Sequence, residues 1–145
     1  MIAMSIDSPT PVCLPLESAE AELQLVGGKG VSLARMAAAG LPVPPGFHLT
    51  TATYRRFVQA NDVQEAIVEA AASAVVDDPT SLERASTAIR DLFNDGSIPE
   101  EVAEAVRQAY VSLGEGDPAV AVRSSATAED LPGMSFAGQQ ETYLN

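Results

Sequence analysis

The sequence predicts a mixed α/β (α+β) chain: a small mixed β-sheet of few strands flanked by several helices. Three observations predict it. Short stretches of strand length fall towards both ends of the chain, at residues 11–16, 47–50, 119–122 and 141–145, of which 119–122 is an apolar run bounded by Pro118 and a polar cluster. Between residues 62 and 113 the apolar residues instead recur at helical spacing. A glycine cluster at Gly27, Gly28 and Gly30 opens a further helical stretch.

Taken in order, residues 1–10 read as a loose lead-in, and residues 11–16 as a strand that Pro15 confines to an edge or an end, because proline cannot donate to a ladder. Residues 18–22 suit a helical turn. From Lys29 to Ala39 the residues are good helix formers, with Val31, Ala34 and Ala38 on one face. Gly40 suits the C-cap and Pro42 bars continuation. A stiff proline-rich connector leads to a strand at 47–50, and Thr50 or Thr51 can cap a helix running to about residue 60. Helices are predicted at about 62–76, 80–94 and 99–113. The last has Pro99, Glu100 and Glu101 in its first turn, an apolar stripe of Val102, Val106, Ala109, Tyr110 and Leu113, and Gly114 past its end. The apolar run 119–122 reads as a buried strand that delivers Arg123 to its end, and residues 141–145 as another strand.

With 145 residues, 46% of them hydrophobic, the chain is long enough for one domain with a core. One cysteine, Cys13, excludes an internal disulfide and suits a reducing compartment. No lysine or arginine precedes Lys29 and no run approaches the ~20 apolar residues of a membrane span, so neither a signal peptide nor a membrane partner is expected; the cytoplasm is the expected location. The net charge of -12 disfavours nucleic acid as a partner. From Asp62 to Asp117 there are thirteen acids and three arginines, so most of the negative charge lies in that block. A site for an anion is expected outside it.

Two stretches there carry the chemistry of an anion site. In Val26-Gly-Gly-Lys-Gly-Val-Ser-Leu33 the glycines permit close backbone approach, and Lys29, the only lysine, stands at a helix start. A lysine there opposes the macrodipole unless an anion binds beside it. The spacing is not that of a Walker A loop, since Leu23 and Gly30 occupy the positions of its first glycine and its hydroxyl residue. In the second stretch Arg123 is followed by Ser124, Ser125 and Thr127, a guanidinium fork with hydroxyls just where a strand ends. Pairing of Arg123 with Glu129 or Asp130 is the plain alternative and is compatible with binding. The two stretches are expected to face each other across a nucleotide. The segment 131–138, with Gly133 and Gly138 around Ser135 and Phe136, suits a loop that closes over phosphates. His48 reads as a strand residue with a satisfied hydrogen bond. No metal-ligand spacing, nucleophile elbow or triad pattern occurs.

Val26-Gly-Gly-Lys-Gly-Val-Ser-Leu33, Gly40-Leu-Pro-Val-Pro-Pro-Gly-Phe47, Val122-Arg-Ser-Ser-Ala-Thr-Ala-Glu-Asp-Leu-Pro132 and Ser135-Phe-Ala-Gly-Gln-Gln-Glu-Thr-Tyr-Leu-Asn145 together resemble the N-terminal nucleotide-binding domain of phosphoenolpyruvate synthases, pyruvate phosphate dikinases and rifampicin phosphotransferases. The resemblance covers nearly the whole chain and implies that residues 1–145 are the first lobe of an ATP-grasp type domain. It implies ATP and Mg²⁺ as ligands, with phosphate passing through a phosphohistidine to pyruvate or a similar acceptor. By matched motif, Lys29, Arg123, Ser124, Gly133, Ser135, Phe136, Ala137, Gly138 and Gln139 would bind the nucleotide, and Arg123 would stabilise charge during transfer. Gly133-Met134 departs from the acidic-plus-small pair expected there in the synthases. The resemblance places the magnesium ligands, the second lobe, the phosphohistidine domain and the acceptor domain outside these residues, in cis or in trans. The chain is thus expected to be inactive alone. A stand-alone nucleotide-binding or regulatory module without catalysis is the alternative, so whether the chain is an enzyme stays open at this point.

Overall fold

The computed structural model describes residues 9–128 and 142–144. They fall into two compact units, one made of residues up to Ala52 together with those from Glu104 onward, the other of Thr53–Ala103. The described elements are β1 (Cys13–Pro15), α1 (Leu23–Ala38), β2 (Phe47–Leu49), α2 (Thr51–Asn61), α3 (Gln64–Ala72), α4 (Pro79–Asp95), α5 (Glu100–Val111), β3 (Ala121–Arg123) and β4 (Thr142–Leu144). The mixed α+β class stands. The strands pair as two antiparallel ribbons, β1 with β2 and β3 with β4, where the sequence suggested a single mixed sheet.

In the first unit Cys13 lies opposite Leu49, Leu14 opposite His48 and Pro15 opposite Phe47. Val12, Leu14 and Leu16 are buried while the residues between them are not, the period-two pattern of a strand with one face on the core. Val26, Ala34 and Ala52 are also buried in this unit. Thr50 caps α2: its Oγ1 accepts the Ala52 N–H at 3.2 Å and donates to the Pro11 carbonyl at 2.6 Å. Among the described residues no helix is long and apolar enough to cross a membrane.

The C-terminal end of α1 follows the predicted chemistry. Gly40 (φ 75°) donates to the Ala37 carbonyl at 3.0 Å and Leu41 to that of Met36 at 3.1 Å, the two bonds of a Schellman motif. A Cβ at Gly40 would meet nothing within 4 Å, so a side chain there suffers only the left-handed backbone penalty. Gly40→Ala is therefore expected to cost about 1–2 kcal/mol, and Gly40→Asn less, in urea unfolding midpoints.

In the second unit the apolar centre is Phe57, Val58, Ala85 and Val102. The Phe57 and Phe93 rings stack at 5.1 Å between centroids with 12° between planes, and Tyr54 stacks on Phe93 at 5.8 Å. Asn61 fastens the end of α2: Nδ2 donates to the carbonyls of Phe57 and Ser97, and Oδ1 accepts the Ser97 N–H at 2.8 Å. Asp78 caps α4, accepting the N–H groups of Thr80 at 3.0 Å and Ser81 at 3.3 Å, with Pro79 at the first helical position. The α3 helix stops at Ala72, short of the predicted 76, because residues 73–78 are bonded as a turn around Ser81.

Candidate functional site

The site is built where α1 changes course. Gly27 has φ 69° and ψ 176°, non-helical angles inside α1, so the helix is two segments joined across this residue. That region of backbone space is essentially closed to residues with a Cβ. The sequence signal for a helix starting near Lys29 corresponds to the second segment. The first segment, from Leu23, has no cap side chain and no acidic residue in its first turn, which is why no start signal marks it.

The bend lays the glycine stretch against the segment after β3, 95 residues away in sequence. The Gly28 N–H donates to the Ala126 carbonyl at 3.1 Å. The Gly30 N–H donates to Ser125 Oγ at 3.2 Å. The Lys29 ammonium donates to the Ser124 carbonyl at 3.5 Å. A Cβ on Gly27 would overlap Ser125 Oγ and stand 2.8 Å from the Ser125 carbonyl carbon and 2.9 Å from the Ala126 nitrogen. The two stretches singled out in the sequence thus meet.

The glycines serve that meeting in a way the sequence reading missed. Gly27, Gly28 and Gly30 are buried; Gly27 closely approaches the Ser125–Ala126 backbone, and Gly30 is enclosed by Val26 and His48. The N–H groups of Gly28 and Gly30 are spent on Ala126 and Ser125. Ser125, grouped in the sequence with anion-binding hydroxyls, is an acceptor for the turn and keeps one O–H to donate.

His48 stands behind the same turn. It is buried, and its Nε2 lies 3.0 Å from the Leu16 carbonyl, which can only accept, so Nε2 carries the hydrogen. The satisfied strand histidine is as expected. Unexpected is that its Nδ1 would lie 3.4 Å from a Cβ on Gly30. A methyl there would also stand 2.8 Å from Val26 Cβ, so the helix restart is tightly enclosed.

Arg123 ends β3, opposite Thr142 of β4, and is exposed, as is Ser124; Lys29 is half-buried. Lys29 and Arg123 are two of only eight basic residues in a chain of net charge -12, and Lys29 bonds the residue next to Arg123. The expectation that β3 is buried is corrected: Ala121, Val122 and Arg123 are all exposed, because β3 pairs in its own two-stranded ribbon instead of joining β1 and β2. Gly133, Ser135, Phe136, Ala137, Gly138 and Gln139 lie outside the described residues, as do Glu129 and Asp130.

An ammonium, a guanidinium and hydroxyls suit a polyphosphate. They do not fit a magnesium ion, which takes oxygen ligands, usually carboxylates. Among the described residues no group of three or more histidine, cysteine, aspartate or glutamate side chains could hold a metal.

Residues 23–145 match the family model of the pyruvate phosphate dikinase AMP/ATP-binding domain. The chain is 46% identical to a probable phosphoenolpyruvate synthase of Methanocaldococcus jannaschii over 133 residues, 89% of this chain and 11% of the relative. It is 48% identical to a phosphoenolpyruvate synthase of Aeropyrum pernix over 128 residues, 85% of this chain and 16% of the relative. It is 44% identical to a phosphoenolpyruvate synthase of Deinococcus radiodurans, again over 128 residues, 86% of this chain and 16% of the relative. The chain therefore spans well under a fifth of the length of these relatives. With the family model covering most of its residues, the chain belongs to the pyruvate phosphate dikinase AMP/ATP-binding domain family.

Proposed function

We propose that this chain forms the phosphate-facing part of the ATP site of a phosphotransferase of the phosphoenolpyruvate synthase type. The observation that carries the reading is the seating of the Gly-Gly-Lys-Gly turn on the Arg123–Ala126 segment by three hydrogen bonds. It supports two cations from distant parts of the sequence acting on one polyphosphate. In this reading Lys29 supplies a compact charge and Arg123 a planar fork. Arg123 also offsets the charge that develops on the transferring phosphoryl group. The segment from Gly133 to Gly138, with Gln139, is assigned the cover over the phosphates. The carboxylates for magnesium, the second lobe, the histidine that receives the phosphoryl group and the final acceptor are assigned outside these residues, in cis or in trans, and the greater length of the relatives leaves room for them.

Calorimetric titration of ATP into the chain, with and without magnesium, tests the reading. Loss of one charge-assisted hydrogen bond costs about 1.5–3 kcal/mol, so Lys29→Ala and Arg123→Ala should each weaken binding roughly 10- to 100-fold. Wild-type affinity in both variants would sink the assignment. Absence of binding in a chain whose circular dichroism shows it folded would mean that these residues do not form the phosphate site by themselves.

A further inference from the structure

Residues 66–76 read Ala-Ile-Val-Glu-Ala-Ala-Ala-Ser-Ala-Val-Val: nine of eleven are apolar and none is basic. None of the nine is buried. A helix this apolar is normally covered on more than one side. Here α3 packs on α4, and the half-buried Ile67, Ala70 and Ala74 mark that side. On the other side of α3, Val68, Ala71 and Ala72 at i, i+3 and i+4 are exposed throughout, and Val75 and Val76 are exposed in the turn past the helix end. Val68 is 56% exposed, Val75 57% and Val76 83%.

The exposure is held in place by a bonded turn. The Val75 N–H donates to Ser81 Oγ at 2.9 Å, and that hydroxyl donates to the Ser73 carbonyl at 3.2 Å. The Asp78 N–H returns to the Val75 carbonyl at 3.0 Å. Ser81 itself is buried. The two valines are therefore presented by a pinned segment next to the capped start of α4.

Charge says what could cover this face. Between Arg56 and Arg84 there is no basic residue, while Asp62, Glu65, Glu69, Asp77, Asp78 and Glu83 supply six acids. All six are exposed except Asp78, which is half-buried. A second copy, with the same face and a net charge of -12, is repelled. Nucleic acid and anionic lipid are repelled for the same reason.

We propose that the outer face of α3 and the turn after it is a docking surface for a basic amphipathic helix of another polypeptide, its apolar stripe on Val68, Ala72, Val75 and Val76 and its lysines or arginines against Glu65, Glu69 and Asp77. This is helix-on-face recognition with an electrostatic rim. It does not depend on the nucleotide reading.

The probe is a synthetic lysine–leucine amphipathic helical peptide, titrated into the isotopically labelled full chain and followed by backbone amide shifts. Saturable binding is expected, with shifts concentrated at residues 64–78 and none with a glutamate–leucine peptide of the same pattern. The double variant Val68→Ser/Val76→Ser, exposed at both sites, should keep the wild-type thermal midpoint yet bind at least about tenfold more weakly. Undiminished binding by that variant would reduce the effect to unspecific charge and overturn the proposal, as would no binding at all. Concentration-dependent dimers lost in the variant would identify a second copy as the occupant, and would overturn it too.

Discussion

Gly27→Ala is expected to destabilise the chain by about 3 kcal/mol or more and to abolish measurable ATP binding. Two independent costs act together. A residue with a Cβ held at φ 69° and ψ 176° carries strain of order 1–3 kcal/mol. The new methyl would also overlap Ser125 Oγ and crowd the Ser125–Ala126 peptide, and overpacking of this kind adds roughly 1–3 kcal/mol. Such a sum is a large part of the ~5–15 kcal/mol that holds a domain together. The chain relieves it by parting the two stretches, which breaks the Gly28–Ala126 and Gly30–Ser125 bonds and moves Lys29 away from Ser124. Gly40→Ala is the control, since Gly40 also has positive φ but no neighbour within 4 Å. Urea unfolding of both variants, with ATP titration of whatever remains folded, decides the matter. If Gly27→Ala costs no more than Gly40→Ala, the close approach at Ser125 is not what requires a glycine there.

That contrast also shows which parts of the site could be read before the fold was known. The stretches around Lys29 and Arg123 stood out because each is a local pattern whose chemistry is unusual: glycines around a lone lysine, and a strand end rich in hydroxyls. Their meeting was a reasonable expectation, but the purpose of the glycines was not legible. A glycine that lets a ligand in and one that lets another stretch of backbone in leave the same mark in sequence. Only the Ser125 contact, 95 residues away, separates the two. His48 gave the same kind of partial answer. Its hydrogen bond was expected from its place in a strand, while its position behind Gly30 depends on how β2 lies against α1, which no local signal carries.

Burial was read less well than element type. Helices α2 and α5 lie within a few residues of their predicted limits because Thr50 and Pro99 mark them, and α4 does so too, although its Asp78–Pro79 start was not read in the sequence. The β3 strand was read as buried from the apolar character of residues 119–122, yet Val122 is 58% exposed. Apolar composition says that a strand can be covered, and pairing decides whether it is. Among the described residues β3 pairs with β4, and β1 with β2. The α3 helix shows the same limit, since its apolar residues outnumber the positions that α4 can cover.

Phe57→Ala is expected to cost about 3–5 kcal/mol, the usual range for deleting a buried aromatic ring. The second unit has little else to lean on beside Val58: α3 buries no residue, α4 buries only Ser81 and Ala85, and α5 only Val102. Removing the ring also ends its stack on Phe93, worth roughly 0.5–1.5 kcal/mol beyond area alone. The position of the ring depends on Gly96, where a Cβ would overlap Phe57 Cζ and stand 3.1 Å from Cε1. Gly96 has φ -73°, which any residue can adopt, so a side chain there meets only a steric objection. Gly96→Ala alone should thus cost about 1–3 kcal/mol through crowding of the ring. In a Phe57→Leu background that crowding is relieved, and the same methyl should cost much less. A double-mutant cycle from thermal or urea unfolding should therefore show coupling of about 1 kcal/mol or more. Strict additivity would mean that the ring does not rest on Gly96, and that the cost of Phe57→Ala must come from its other neighbours.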